Sequence, residues 1–249
     1  MPLHHRFTTL AAIVALCGYC ALALTPLQSQ AATSGSGHSS SESRQTPPFQ
    51  AVAVEGSIDL ELRQGAATSV QVQADDNLLP LLQTTVEGSG SSATLQVRWQ
   101  RGAAVYSRSK VVVTVVTPTL SAVSMSGAGD AHLGTLRTPV LKLSLAGSGD
   151  ARLDDLQTAD LSIRMSGSGD VTASGRATVL AVSLAGSGDV DLSALNADDV
   201  SLRMAGSGDA AVHAEKTLDV RIAGSGDVVY SGAAAIKSRV AGSGSVTRR

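Results

Sequence analysis

From Val123 onward, apolar and polar residues alternate with a period of two, and the alternation restarts about every twenty residues. Each restart ends at Gly-Ser-Gly-Asp or a one-residue variant of it, at 127–130, 147–150, 167–170, 186–189, 206–209, 224–227 and 242–245. The intervals between first glycines are 20, 20, 19, 20, 18 and 18 residues. Two positions before that glycine stand Met125, Leu145, Met165, Leu184, Met204, Ile222 and Val240. Four positions before it stand Val123, Leu143, Ile163, Val182, Leu202, Val220 and Ser238. Between the two sets lie Ser124, Ser144, Arg164, Ser183, Arg203, Arg221 and Arg239. One polar residue, Ser238, interrupts fourteen apolar slots. The spacing predicts strands buried on one face, and helical spacing does not fit it.

A second strand is predicted after each corner. Ala131, Ala151, Val171, Val190, Ala210, Val228 and Val246 follow the Asp or Ser directly, and Leu133, Leu153, Ala173, Leu192, Val212 and Tyr230 come two positions later. Each repeat therefore reads as strand, Gly-rich corner, strand and a looser return. Hairpins would give no reason for one identical corner at every step, whereas a coil places equivalent residues above one another. The pattern predicts an all-β, single-stranded parallel β-helix (a β-solenoid) of about seven Gly-Ser-Gly-Asp-cornered coils. Adjacent strands ~4.8 Å apart make it a rod about 30 Å long. Residues missing from the later repeats fall in the return arc, where loops absorb deletions at little cost.

The corner chemistry has two readings. Gly supplies backbone angles that a Cβ obstructs, and the Asp carboxylate accepts hydrogen bonds from turn N–H groups. Alternatively, Asp130, Asp150, Asp170, Asp189, Asp209 and Asp227 stack as a cation column, which would make a calcium-dependent binding module. Neighbouring unit charges at that spacing repel by about 1 kcal/mol in water, and calcium would relieve it.

Before the array, residues 49–117 predict a strand-rich capping region. Val52 and Val54 lead to a turn at Glu55-Gly56-Ser57, and Ile58, Leu60 and Leu62 alternate with Asp59, Glu61 and Arg63. Val70 and Val72 begin another strand, residues 77–82 read as a brief helical turn, and 94–99 and 111–116 are further strands. Residues 32–48 are rich in Ser and Gly and end in Pro47-Pro48. With nothing to bury, they predict a flexible tether.

The first 31 residues read as a cleaved secretory signal. Arg6 is their only charged residue, 10–24 is an uncharged apolar run, and Ser29-Gln30-Ala31 offers small residues ahead of a cut. That run is short of the ~20 residues a membrane-spanning helix needs, so no span is expected after removal. Cys17 and Cys20 both lie in this segment, so the mature chain is expected to hold no disulfide, thiol nucleophile or Cys-based metal site. The remaining composition fits a thin aliphatic interior, since only 2% of the chain is aromatic. A formal charge of −2 gives no basic field for nucleic acid.

Candidate chemistry is sparse. His132 and His213 lack a ligand-like partner pattern, Gly-Ser-Gly serves as turn chemistry rather than a nucleophile elbow, and no phosphate loop follows a corner. No catalytic, cofactor or metal residues are expected. An envelope polysaccharide-active β-helix enzyme is the enzymatic alternative, and would draw on the acid pairs Asp154-Asp155 and Asp198-Asp199. Arg164, Arg203, Arg221 and Arg239 share one outward column. They are the surface-binding candidates, suited to an anionic polymer such as a sulfated or phosphorylated glycan or lipopolysaccharide.

The segment 49–65, Phe-Gln-Ala-Val-Ala-Val-Glu-Gly-Ser-Ile-Asp-Leu-Glu-Leu-Arg-Gln-Gly, is followed by Val70-Gln-Val-Gln-Ala-Asp-Asp-Asn-Leu-Leu and then by repeated Ala/Ser-Gly-Ser-Gly-Asp. Together they resemble the auto-transporter adhesin head GIN domain family. The resemblance runs from Phe49 to the end of the chain, and implies a bacterial, envelope-associated β-solenoid with no defined catalytic or ligand residues. No strands remain after the array for an outer-membrane barrel, so self-export is not expected. The function expected is that of a non-enzymatic, adhesin-like or structural envelope protein, exported to the periplasm, the outer membrane or the exterior. Its partner would be an envelope or extracellular polymer or protein.

Overall fold

The computed structural model describes residues 32–249, so the export segment expected at 1–31 lies outside the described residues. Nine strands precede the regular array: β1 (Thr33–Ser34), β2 (Ser39–Arg44), β3 (Ala51–Glu55), β4 (Asp59–Gln64), β5 (Ser69–Asp75), β6 (Leu82–Glu87), β7 (Thr94–Trp99), β8 (Val105–Tyr106) and β9 (Val112–Thr117). The array comprises β10 (Ala122–Gly127), β11 (Ala131–Leu133), β12 (Leu136–Gly147), β13 (Ala151–Gly167), β14 (Val171–Gly186), β15 (Val190–Gly206), β16 (Ala210–Gly224), β17 (Val228–Ser231), β18 (Ala235–Gly242) and β19 (Val246–Arg248). Short 3-10 turns occur at Leu79–Leu81, within the predicted helical turn, and at Gly90–Ser92.

Successive coils pair in parallel and residue for residue. Gly127 lies against Gly147, then Gly167, Gly186, Gly206, Gly224 and Gly242 in turn. Seven regular corners thus bound six full turns of a parallel β-solenoid, in the register that the twenty-residue period predicts. The interior is a set of aliphatic columns. Met125, Leu145, Met165, Leu184, Met204 and Ile222 are buried, as are Val123, Leu143, Ile163, Val182, Leu202 and Val220 one slot earlier. Val240, in the last coil, is 43% exposed.

The paired glycines have a stricter reason than turn conformation alone. Gly167 has φ +136°, and a Cβ there would run into the carbonyl oxygen of Gly147 one coil earlier. At Gly169 a Cβ would meet the carbonyl of Gly149. Both glycines of the corner are needed because one main chain lies directly on another.

The stack also reaches further back than the regular repeats. β3 runs parallel to β10 and β4 parallel to β11, which places Gly56-Ser57-Ile58-Asp59 as one more corner beneath 127–130. β7 and β9 extend the same two faces by another rung. There the pairing changes hand. β6 joins β7, β5 joins β9 and β2 joins β5, all antiparallel. β1 and β8 form a separate two-stranded sheet beside this cap.

The free tether expected at 32–48 is instead largely ordered. β2, Ser-Ser-Ser-Glu-Ser-Arg, buries no side chain, but it pairs along its whole length with β5. Main-chain hydrogen bonds satisfy a polar edge strand without an apolar face, which composition alone does not register. Asp75, at the end of β5, is fully buried and fastens the same segment. Its carboxylate accepts from the Gly37 N–H at 3.0 Å, the Arg108 N–H at 2.8 Å, the Ser107 Oγ at 2.9 Å and the Ser109 Oγ at 2.6 Å. These bonds hold the acid far below the ordinary carboxylate range, with the Ser109 hydroxyl the largest cause.

Candidate functional site

Arg164, Arg203 and Arg221 each stand between two buried residues, so alternation along the strand points them to solvent, and Arg239 follows in register on the exposed last coil. The register runs Ser124, Ser144, Arg164, Ser183, Arg203, Arg221, Arg239. The structure therefore brings all four predicted arginines onto one face, in two groups. Arg203, Arg221 and Arg239 occupy consecutive coils, and Ser183 separates them from Arg164. Arg221 is paired with Asp219, at 3.2 Å. Among the described residues, no carboxylate lies within ion-pair distance of Arg164, Arg203 or Arg239.

Sequence reasoning missed what lies beside them. The next outward column is Ala146, Ser166, Ala185, Ala205, Ala223 and Ala241, again in register. Methyl groups leave a trough there, and the arginine stems wall it. The result is an open groove of about 360 Å³ over four coils, floored by Ala185, Ala205, Ala223 and Ala241. The signal was present in the sequence as Ala before Gly-Ser-Gly, but it reads there as part of the corner.

The aspartate column is a hydrogen-bonded ladder. Asp130 Oδ1 accepts the N–H of Asp150 at 3.0 Å, Asp150 Oδ1 that of Asp170 at 2.8 Å, and Asp189, Asp209 and Asp227 continue it. Asp59, from the extra corner, starts the ladder by accepting from Asp130, and Ser245 ends it by donating to Asp227. Lys110 Nζ lies 2.8 Å from Asp59 Oδ2. No group of three or more His, Cys, Asp or Glu side chains among the described residues is arranged to hold a metal ion.

His132, which looked isolated in sequence, is clamped between carboxylates from two neighbouring coils. Its Nδ1 lies 3.0 Å from Glu61 Oε2 and its Nε2 lies 2.8 Å from Asp154 Oδ2. Both partners only accept, so both ring nitrogens donate and the imidazolium is favoured. The Asp154 contact chiefly raises the His132 pKa, with Glu61 adding to it, and His132 in turn lowers that of Asp154. His213 is held similarly, by Ser231 Oγ and Glu215 Oε1, each at 2.8 Å.

Three of the four acids of the enzymatic alternative, Asp154, Asp198 and Asp199, are engaged in internal contacts. Asp154 also takes Arg152 Nε at 3.0 Å, Asp198 takes Lys216 Nζ at 3.0 Å, and Asp199 accepts from Thr217 Oγ1 at 2.6 Å.

The family model "Putative auto-transporter adhesin, head GIN domain" matches residues 48–234. The chain belongs to this family. Three solved structures share the fold of this chain. A "putative adhesin" from Bacteroides fragilis is 24% identical with a TM-score of 0.80, covering 87% of this chain and 100% of its own. A "putative lipid binding protein" from Parabacteroides distasonis is 24% identical with a TM-score of 0.76, covering 88% and 100%. A "putative adhesin" from Parabacteroides merdae is 22% identical with a TM-score of 0.67, covering 87% and 98%. No curated protein matches the chain. No helix among the described residues is long and apolar enough to cross a membrane.

Proposed function

We propose that this GIN-domain protein is a non-enzymatic, exported cell-envelope protein of adhesin type, which binds an anionic envelope or extracellular polymer through its arginine face. Membership of the family supports the class, and two of the three structural relatives carry the name adhesin. The observation that carries the contact surface is the set Arg164, Arg203 and Arg239, aligned on one face with no carboxylate partner among the described residues. A guanidinium spared from internal pairing keeps its planar donors for carboxylate, sulfate or phosphate. Against catalysis stands the engagement of Asp154, Asp198 and Asp199 in internal contacts.

The test is binding of the full chain to purified envelope fractions, compared with a variant carrying Arg164→Ala, Arg203→Ala, Arg221→Ala and Arg239→Ala. Unchanged melting would show that the variant is folded. At least tenfold weaker, salt-sensitive binding is expected. Equal binding by both proteins would refute the arginine face as the contact.

A further inference from the structure

We propose that the groove between the arginine and alanine columns holds a linear acidic polysaccharide, laid parallel to the solenoid axis with about one sugar per coil. The proposal rests on the reading of the arginine face as the contact surface, and adds the ligand's chemistry and direction. Three features of the groove select this occupant.

The first is pitch. Arg203, Arg221 and Arg239 sit on consecutive rungs, so their main-chain positions repeat at the strand spacing of ~4.8 Å. Each strand of duplex nucleic acid carries a phosphate every ~3.4 Å, which falls out of step within a few rungs. An extended peptide puts same-side groups about 6.6–6.8 Å apart, which is also out of step. A 1→4-linked pyranose advances its chain by about one rung, so a glycan with one anionic group per sugar keeps step with the coils.

The second is the floor. Ala185, Ala205, Ala223 and Ala241 give an apolar strip one residue wide, beside arginine stems that are themselves methylene. A sugar ring has an apolar C–H face that lies flat on such a strip while its carboxylate or sulfate turns to the edge. A bare polyanion has no use for the floor. The third is asymmetry of charge. The arginines line one side of the strip, so the carboxylates on that edge of the polymer meet them while the opposite edge faces solvent.

Calorimetric titration of the full chain with polygalacturonate oligomers of increasing length tests the idea, with inorganic polyphosphate of equal total charge as the control. Affinity is expected to rise with length until about four sugars, the number of coils lining the groove, and then to level off. Arg203→Ala with Arg221→Ala should weaken binding at least tenfold. Ala205→Leu fills the floor without touching an arginine, and should weaken the oligosaccharide at least tenfold while leaving polyphosphate unchanged. If polyphosphate binds as tightly as the glycan and Ala205→Leu has no effect, the glycan assignment is wrong and the arginine face acts as a plain charged surface. If the arginine substitutions alter neither ligand, the contact surface itself is misassigned.

Discussion

Asp150 Oδ1 accepts the backbone N–H of Asp170 at 2.8 Å, one coil further along the solenoid. A side chain thereby satisfies a donor of its neighbour's main chain at a corner where no strand partner is available. Two substitutions separate this bond from the carboxylate's charge. Asp150→Ala removes the acceptor and should cost about 1 kcal/mol. Asp150→Asn keeps a carbonyl in place and removes one charge from a like-charged column, where neighbours repel by about 1 kcal/mol in water and less in salt. Thermal denaturation should place Asp150→Ala below the native chain and Asp150→Asn level with it or slightly above. Identical melting of the two variants would show that the ladder contributes nothing.

Glycine at the corners is expected to be irreplaceable in a position-dependent way. Gly167→Ala combines φ +136° with a collision against the Gly147 carbonyl, and both are backbone features with no side chain to move aside. A loss of about 3 kcal/mol or more is expected. Gly90 also has a positive φ, +59°, but a Cβ there meets nothing within 4 Å. Gly90→Ala should cost about 1 kcal/mol. Urea titrations of the two variants measure the difference, and similar midpoints would remove main-chain contact as the reason for the repeated glycine.

What the sequence made legible follows from what repeats. Val123 and Met125 stand at fixed distances from a corner that recurs at Leu143 and Leu145, and again five times more, so the stack and its inward columns could be read without coordinates. Gly56-Ser57-Ile58-Asp59 escaped the same reading for two physical reasons. Ile58 replaces the second glycine, and 71 residues separate Gly56 from Gly127 because the cap is inserted between the two corners. The Glu61–His132 contact was hidden by that same separation. β2 was hidden differently, since a strand held by hydrogen bonds without a buried apolar face leaves no apolar period to detect. For the candidate site, the arginines were visible because charge stands out on an alternating strand. The alanine floor was not, because a groove is a property of neighbouring coils rather than of one.

The clamp at His132 predicts a pH dependence with a definite sign. Its folded pKa is raised above the ordinary 6.5, chiefly by Asp154. The stabilisation is therefore complete below pH 6.5 and is lost as pH rises through the folded value. Asp154 works in the opposite direction, since its pKa is lowered, chiefly by His132. Its share is present above the ordinary 3.8 and is lost as pH falls through the folded value. The clamp should be firmest between these limits. Because the His132 side chain is 41% exposed, the effect should amount to a few degrees of melting temperature at most. His132→Gln should flatten the decline in melting temperature above pH 6.5. A variant whose decline matches that of the native chain would show that other groups cause it.

Asp75 should decide whether the N-terminal segment stays docked. β2 contributes no buried side chain, so its attachment depends on main-chain pairing with β5, on the Arg44–Leu79 and Gln73–Ser39 hydrogen bonds, and on the Asp75 carboxylate at its entry. That carboxylate also accepts from Arg108 and Ser109 in the loop after β8, so one acid ties two segments to the cap. Its donors are N–H and O–H groups throughout, and Asp75→Asn would turn an amide N–H₂ toward at least one of them. The buried donors would then lack an acceptor, and the lightly held strand should release first. Hydrogen exchange of Asp75→Asn should show lost protection at residues 33–44 and 103–110, while the coils from β12 to β16 keep theirs. Proteolysis should cut the variant within 33–48 under conditions that leave the native chain intact. Because the native acid titrates far below the ordinary 3.8, the docking should persist at neutral pH and fail only in strong acid. Release of 33–44 from the native chain in mild acid, at the ordinary carboxylate range, would show that some other group holds the strand.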